Sequence, residues 1–126
     1  MASNPVRWFE IYIRDMNRAT KFYESVFATK LEKLATPGPG VSEMWTFPMH
    51  NGGTGAAGAL VKMEGGPSGG GGTIVYFGCE DCARESSRVV PNGGKVMKDK
   101  FAIGEHGFIA LVNDTEGNTI GLHSMK

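Results

Sequence analysis

The feature that most constrains this chain is a strand that runs through one acidic residue into an amphipathic helix, VRWFEIYIRDMNRATKFYESVF at residues 6–27. Along its first part Phe9, Ile11 and Ile13 alternate with Trp8, Glu10 and Tyr12, the period of two shown by a strand whose faces meet different surroundings. The first set reads as plain core. The second, two large aromatics and a carboxylate, suits a pocket wall better than water or a dry interior. Asp15 stands where an N-cap belongs. Met16, Ala19, Phe22, Tyr23, Val26 and Phe27 then recur at three- and four-residue spacing, which predicts a single buried helix stripe.

The same pattern returns 66 positions later, with a strand expected over 73–79, Asp81 as cap and a helix over 82–90. Asp15 falls on Asp81 and Arg18 on Arg84, and Phe9, Ile11 and Ile13 fall on Val75, Phe77 and Cys79. Between the two copies, 29–34 and 41–47 read as strands around the turn TPGPG at 36–40, with Pro48 closing the second. In that second strand Glu43 and Trp45 share one face, and Met44 and Thr46 the other. Residues 51–55 form a loop, and 56–63 a strand in which Ala57, Gly58 and Ala59 permit close approach by a ligand or another backbone. The glycine-rich run at 65–72 reads as a flexible linker rather than a phosphate cradle, since a strand follows it. Pro91-Asn-Gly-Gly94 ends the second helix, and strands follow over 95–98, 108–112 and 118–123. Each half is strand, helix, strand, strand, strand. The expectation is an α+β fold over 1–126 as one domain, with modules at about 1–64 and 73–126.

Composition removes several function classes. Thirteen basic and thirteen acidic residues cancel, and the basic ones are scattered, so no electrostatic footprint for nucleic acid is expected. There is no apolar run of bilayer length, and MASNPVRW lacks the features of a signal peptide, so no membrane partner and a cytoplasmic location are expected. Two cysteines do not argue for an oxidising compartment. Their spacing, Cys79-Glu-Asp-Cys82, suggests a redox pair at a helix N-terminus. The repeat offers another reading. Ile13 and Met16 occupy the equivalent places, so both thiols fit as packed apolar residues, and Glu80 with Asp81 would raise a nearby thiol pKa.

The opening WFEIYIRDMNRATKFYESVF and the closing NDTEGNTIGLHS resemble the vicinal oxygen chelate superfamily, which groups glyoxalases, bleomycin-resistance proteins and extradiol dioxygenases. The resemblance covers nearly the whole chain. It implies two βαβββ modules forming a curved, incomplete barrel around a cleft, commonly within a homodimer, with metal ligands at four strand positions. Carried onto this sequence, those positions fall on Trp8, Ala59, Ile74 and Gly121. None offers a lone pair to a cation, so no metal and no other cofactor is expected.

The candidate ligand-binding residues are Trp8, Glu10, Tyr12, Trp45, Tyr76 and His123. Glu10, mid-strand between two aromatics, is either a hydrogen-bonded structural acid or a ligand anchor or general base, and it is the candidate catalytic residue. His50 and His106 belong to loops. His123 shares strand parity with Thr119 and Gly121, and with Glu10 it would make a two-ligand site, fewer ligands than catalytic metals usually take. The four aromatics either pack as core or stack on a flat ligand. Three functions stay open: a metal-free small-molecule binding or sequestering protein, as in the bleomycin-resistance branch; an enzyme, either metal-dependent with displaced ligands or an acid/base catalyst using Glu10; or a dimer without a ligand of consequence. Open half-barrels leave edges and apolar surface to cover, so a homodimer is expected. Sedimentation at micromolar concentration checks it, and a lone 13.5 kDa species would count against it.

Overall fold

An extended residue whose side chain turns back onto the chain starts each of the two α-helices. In the computed structural model, which describes residues 4–35, 38–66, 68–69 and 71–126, Asp15 (φ −123°, ψ 106°) accepts the Arg18 N–H at 3.0 Å and opens α1, Met16–Phe27. Asp81 (φ −141°, ψ 107°) accepts the Ala83 N–H at 3.0 Å and opens α2, Cys82–Ser87. The two caps stand 66 residues apart, as the repeat requires. Around them the chain folds as two compact units, Trp8–Thr73 and Ile74–Lys126, the second taking in the residues ahead of Trp8. Among the described residues no helix is long and apolar enough to cross a membrane.

In the first unit, β1 (Val6–Tyr12), β2 (Glu32–Lys33), β3 (Glu43–Thr46) and β4 (Ala57–Lys62) take the order β2-β3-β4-β1. β1 and β4 run parallel, which a chain can do only by way of a crossover such as α1. Register then assigns the faces. Ile11 lies beside Leu60 and Leu60 beside Trp45, and these meet α1; Met16, Leu31 and Leu60 are the buried centre, with Ile13, Ala19, Tyr23 and Phe47 packed on it. Glu10 lies beside Ala59 and Ala59 beside Thr46, while Tyr12, Val61 and Met44 form the next row, all on the face away from α1. At Gly58, the neighbour of Phe9, a Cβ would collide with the Phe9 ring, so the small residue admits an aromatic side chain rather than a ligand.

The helix stripe is narrower than expected. Met16, Ala19 and Tyr23 meet the sheet, but Phe22, Val26 and Phe27 are 58%, 57% and 63% exposed. At roughly 100° per residue, Phe22 and Val26 lie to one side of the Met16–Ala19–Tyr23 line, so one sheet face cannot cover both sets. Phe27 stacks on Tyr23 with ring centroids 6.2 Å apart. The turn expected at 36–40 and the glycine-rich run at 65–72 each include residues outside those described, namely Thr36 and Pro37, and Pro67 and Gly70. The described part of the second lies against β1. Gly72 accepts the Tyr12 N–H at 2.7 Å, and Ser68 Oγ accepts from Arg14 Nε at 2.8 Å.

In the second unit, β5 (Thr73–Gly78), β6 (Lys95–Ala102), β7 (Phe108–Asn113) and β8 (Thr119–Ser124) take the order β5-β8-β7-β6, with β5 and β8 parallel. Cys79, Cys82, Ala110, Val112 and Leu122 form its core beneath α2. Two boundaries differ from expectation by more than one residue. α2 ends at Ser87 rather than at residue 90, where a 3-10 turn, Val90–Asn92, takes over; Pro91 has no N–H for a continuing helix and Gly93 (φ 94°) reverses the chain. β6 runs four residues beyond the expected 95–98. Two register shifts, at Val96/Lys98 and Lys98/Phe101, break its alternation, so KVMKDKFA does not read as a strand by period.

Two substitutions test this architecture. Ala28 closes α1 in the left-handed region (φ 50°, ψ 50°), where glycine is unstrained. Urea unfolding of Ala28→Gly is expected to show a gain of about 0.5–1 kcal/mol, the relieved strain exceeding the added chain entropy. Gly58→Ala, by displacing the Phe9 ring, is expected to cost about 1–3 kcal/mol.

Candidate functional site

Three residues of β1, two apart along the strand, converge on one carboxylate. Trp8 Nε1–H donates to Glu10 Oε2 at 3.1 Å, and the Tyr12 hydroxyl donates to Glu10 Oε1 at 2.9 Å. Glu10 is 9% and Tyr12 8% exposed, and Trp8 is half-buried. A buried carboxylate is tolerated only with such donors, and here the same-face neighbours of a single strand supply them. Ala59 beside Glu10 is fully buried and adds no bulk to that face. The result is an oriented acid between an indole and a phenol, able to bind a donor or cation on a ligand and to present an aromatic surface beside it.

Of the other candidates, Trp45 is placed apart from this group. Trp45 is on the opposite face: its register partner Leu60 is the centre of the α1 core, and its indole N–H goes to Glu43 Oε2 at 2.7 Å. The aromatic set is therefore not one wall, because antiparallel pairing with β4 turns Trp45 toward the helix. Tyr76 and His123 belong to the second unit. Tyr76 is 3% exposed and its ring lies across Gly121, its register neighbour. His123 Nε2 lies 2.7 Å from the His106 carbonyl, which can only accept, so Nε2 carries the proton. In the neutral ring Nδ1 then keeps its lone pair, buried and without a hydrogen-bond partner among the described residues. His50 is exposed.

Cys79 and Cys82 are free, 8% and 0% exposed, and part of the second unit's core. Burial, with the nearby Glu85 carboxylate and Cys82 thiol, pushes the Cys79 pKa up from 9.0 to about 11. The direction matches expectation, but the principal causes are burial and Glu85 rather than Glu80 and Asp81. Asp81 is occupied with Lys100, whose Nζ lies 2.9 Å away and holds the Asp81 carboxyl below its usual range. Two packed thiols, with the Cys79 thiolate disfavoured, make a poor nucleophilic or redox pair.

Residues 6–122 match the family described as Glyoxalase/Bleomycin resistance protein/Dioxygenase superfamily. The chain belongs to this superfamily. Among its relatives is the protein CFP32 of Mycobacterium bovis and Mycobacterium tuberculosis, named as a glyoxylase, which is 31% identical over 117 residues. The match takes in 91% of this chain but 43% of CFP32, so the chain spans less than half of that relative's length. A glyoxylase-like domain-containing protein of Didymella fabae is 32% identical over 111 residues, 87% of this chain and 85% of its own. Among solved structures, protein BH1468 of Bacillus halodurans C-125 superposes with a TM-score of 0.72 at 15% identity, covering 98% of this chain and 96% of that one. Methylmalonyl-CoA epimerase from Mycobacterium tuberculosis gives 0.69 at 14% identity, covering 97% and 88%. At these identities the likeness is one of fold.

The superfamily's metal positions, as carried onto this chain, do not fit a metal. Trp8 contributes an N–H that is spent on Glu10, and the fully buried Ala59 side chain has no donor atom. In the second unit Ile74 is a buried hydrocarbon, and the space a Gly121 side chain would need is filled by the Tyr76 ring. Among the described residues no three His, Cys, Asp or Glu side chains come together as metal ligands would.

Strand parity placed Trp8, Glu10 and Tyr12 together, and their i, i+2 spacing was the available signal that both aromatic donors reach the acid. The Arg14–Ser68 bond carried no such signal, since 54 residues separate the partners. The thiols yield a test in pH. The folded chain keeps Cys79 protonated up to about pH 11, while the unfolded chain releases that proton near 9.0. Its stabilising effect is therefore complete below pH 9 and is lost as pH rises toward 11. Denaturant titrations across that window are expected to show the decline, and Cys79→Ala to flatten it. At pH 8 a disulfide reagent is expected to label neither cysteine until the chain unfolds.

Proposed function

We propose that this glyoxalase/bleomycin-resistance-type chain binds a small organic molecule without a metal, and that it does so as a homodimer. The observation that carries this is the Trp8–Glu10–Tyr12 group, in which two aromatic donors orient a buried carboxylate on the sheet face away from α1. The absence of donor atoms at the superfamily's metal positions supports binding over metal-assisted chemistry. The ligand that suits the group is apolar or aromatic with a donor or positive charge: the charge meets Glu10, and the flat part lies along Trp8. Within the second unit, Tyr76 and His123 are candidate ligand contacts of their own.

A second reading keeps catalysis. It is favoured by the methylmalonyl-CoA epimerases among the fold neighbours and by the fixed orientation of Glu10, which an acid/base catalyst also needs. The two readings separate on one variant. For a cationic aromatic ligand found by screening, calorimetry is expected to show Glu10→Gln weakening binding by about 1.5–3 kcal/mol with the fold retained. Unchanged affinity removes Glu10 from the site. A variant that still binds but abolishes turnover of a substrate establishes the enzyme instead. Elemental analysis of protein purified without chelators is expected to find zinc, nickel, iron and manganese well below stoichiometric amounts.

A further inference from the structure

A second feature of the first unit, apart from the Glu10 group, has the composition of a ligand site. A depression of about 720 Å³ opens between α1 and the end of β1, within the range of roughly 300–1,000 Å³ usual for small-molecule sites. Its apolar wall includes Ile11, Ala19 and Phe22, and its rim carries Arg14 and Arg18. Phe22 is more than half exposed there and meets the Tyr23 ring edge-on, with centroids 5.1 Å apart. Neither guanidinium is ion-paired among the described residues, although the whole chain has as many acids as bases. Arg14 is partly held in place by its Nε–H bond to Ser68 Oγ, which leaves its terminal nitrogens to face outward.

The acid in the same lining is Asp15, and its Oδ1 is engaged by the Arg18 backbone N–H in capping α1. Asp15 thus takes up one amide of this helix end, and the positive charge that an anion would meet here is that of the two arginine side chains. We propose that this groove binds a small organic anion, a carboxylate or phosphate monoester carried on an apolar, ring-sized body. The anionic group lies between Arg14 and Arg18, and the ring packs on Phe22 and Ala19. Guanidinium offers paired planar donors that match both kinds of oxyanion, and neither charge has to be stripped from an existing partner to make the contact. The inference stands independently of the reading of Glu10.

The test uses the full chain and four probes in calorimetric titration: 1-naphthyl phosphate, 2-naphthoate, uncharged 1-naphthol and inorganic phosphate. Saturable binding of at least one naphthyl anion, tighter than naphthol and tighter than inorganic phosphate, is expected, and the two anions show which head group is preferred. Arg14→Gln and Arg18→Gln are each expected to weaken it about fivefold, and the double variant more than tenfold. Asp15→Asn is expected to tighten it about twofold, since asparagine caps a helix as well as aspartate but removes the opposing charge. Should Arg14→Gln lower the melting temperature by disturbing the Ser68 bond, Arg18→Gln, whose side chain makes no described hydrogen bond, carries the test alone. Equal binding of naphthol, equal binding of inorganic phosphate, absence of saturable binding, or an affinity unmoved by Arg18→Gln would each overturn the proposal.

Discussion

Parallel pairing of the first and last strands within each module decides which side chains can act together. Because β1 and β4 run in the same direction, the chain has to travel through a helix and two strands before it returns, and the return fixes Ile11 beside Leu60 and Glu10 beside Ala59. A slip of one residue would bring the carboxylate against α1 and send the aliphatic row to the other face. The α1 core, the placement of Trp45 and the placing of the buried acid group on the face away from α1 all follow from that register. In the second module the same arrangement sets Tyr76 beside Gly121 and Phe77 beside Leu122. Glu10 and Tyr76 are repeat-equivalent, so an acid beside Ala59 in one module answers an aromatic ring over Gly121 in the other.

Much of this was legible because it rests on short-range chemistry. Asp15 and Asp81 announce helix starts through their own hydrogen bonds, and alternation in 6–13 separates two faces without reference to anything distant. The packed-thiol reading of Cys79 and Cys82 came from the same source, since repeat position predicts apolar surroundings whatever the side chain. What could not be read depends on partners far along the chain. Trp45 turns toward α1 because of its pairing with Leu60, and nothing in EMWT states which of its two faces is the inner one. Phe22 and Val26 look like core by spacing, yet only the width of the surface opposite a helix determines how much of a stripe is covered. β6 escaped notice over its second half because bulges erase the period that identifies a strand.

At the four strand positions where the resemblance expects metal ligands, the side chains present bear on the packing around them. Replacing a ligand by a smaller or apolar residue leaves a gap or a buried surface, and close packing requires neighbours to take it up. Tyr76 does so at Gly121. At Trp8 the side chain is itself a donor, and Glu10 two residues on accepts it, so the polar chemistry of that face is an oriented carboxylate. Restoring a ligand at position 121 alone would first have to evict an aromatic ring.

The strands at the two ends of the strand order, β2 and β6, bear on how copies of the chain meet in concentrated solution. β2 is two residues long, and β6 is bulged twice and carries Lys95, Lys98 and Lys100. Neither presents a straight ladder of open amides to a neighbour, and the lysines would have to approach one another for β6 to pair with its own copy. Runaway cross-strand growth is thereby obstructed at those two margins even while the chain is crowded, as it is during synthesis. Any ordered self-association is left to side-chain surfaces, which can be complementary and self-limiting, whereas a bare strand margin accepts almost any other strand.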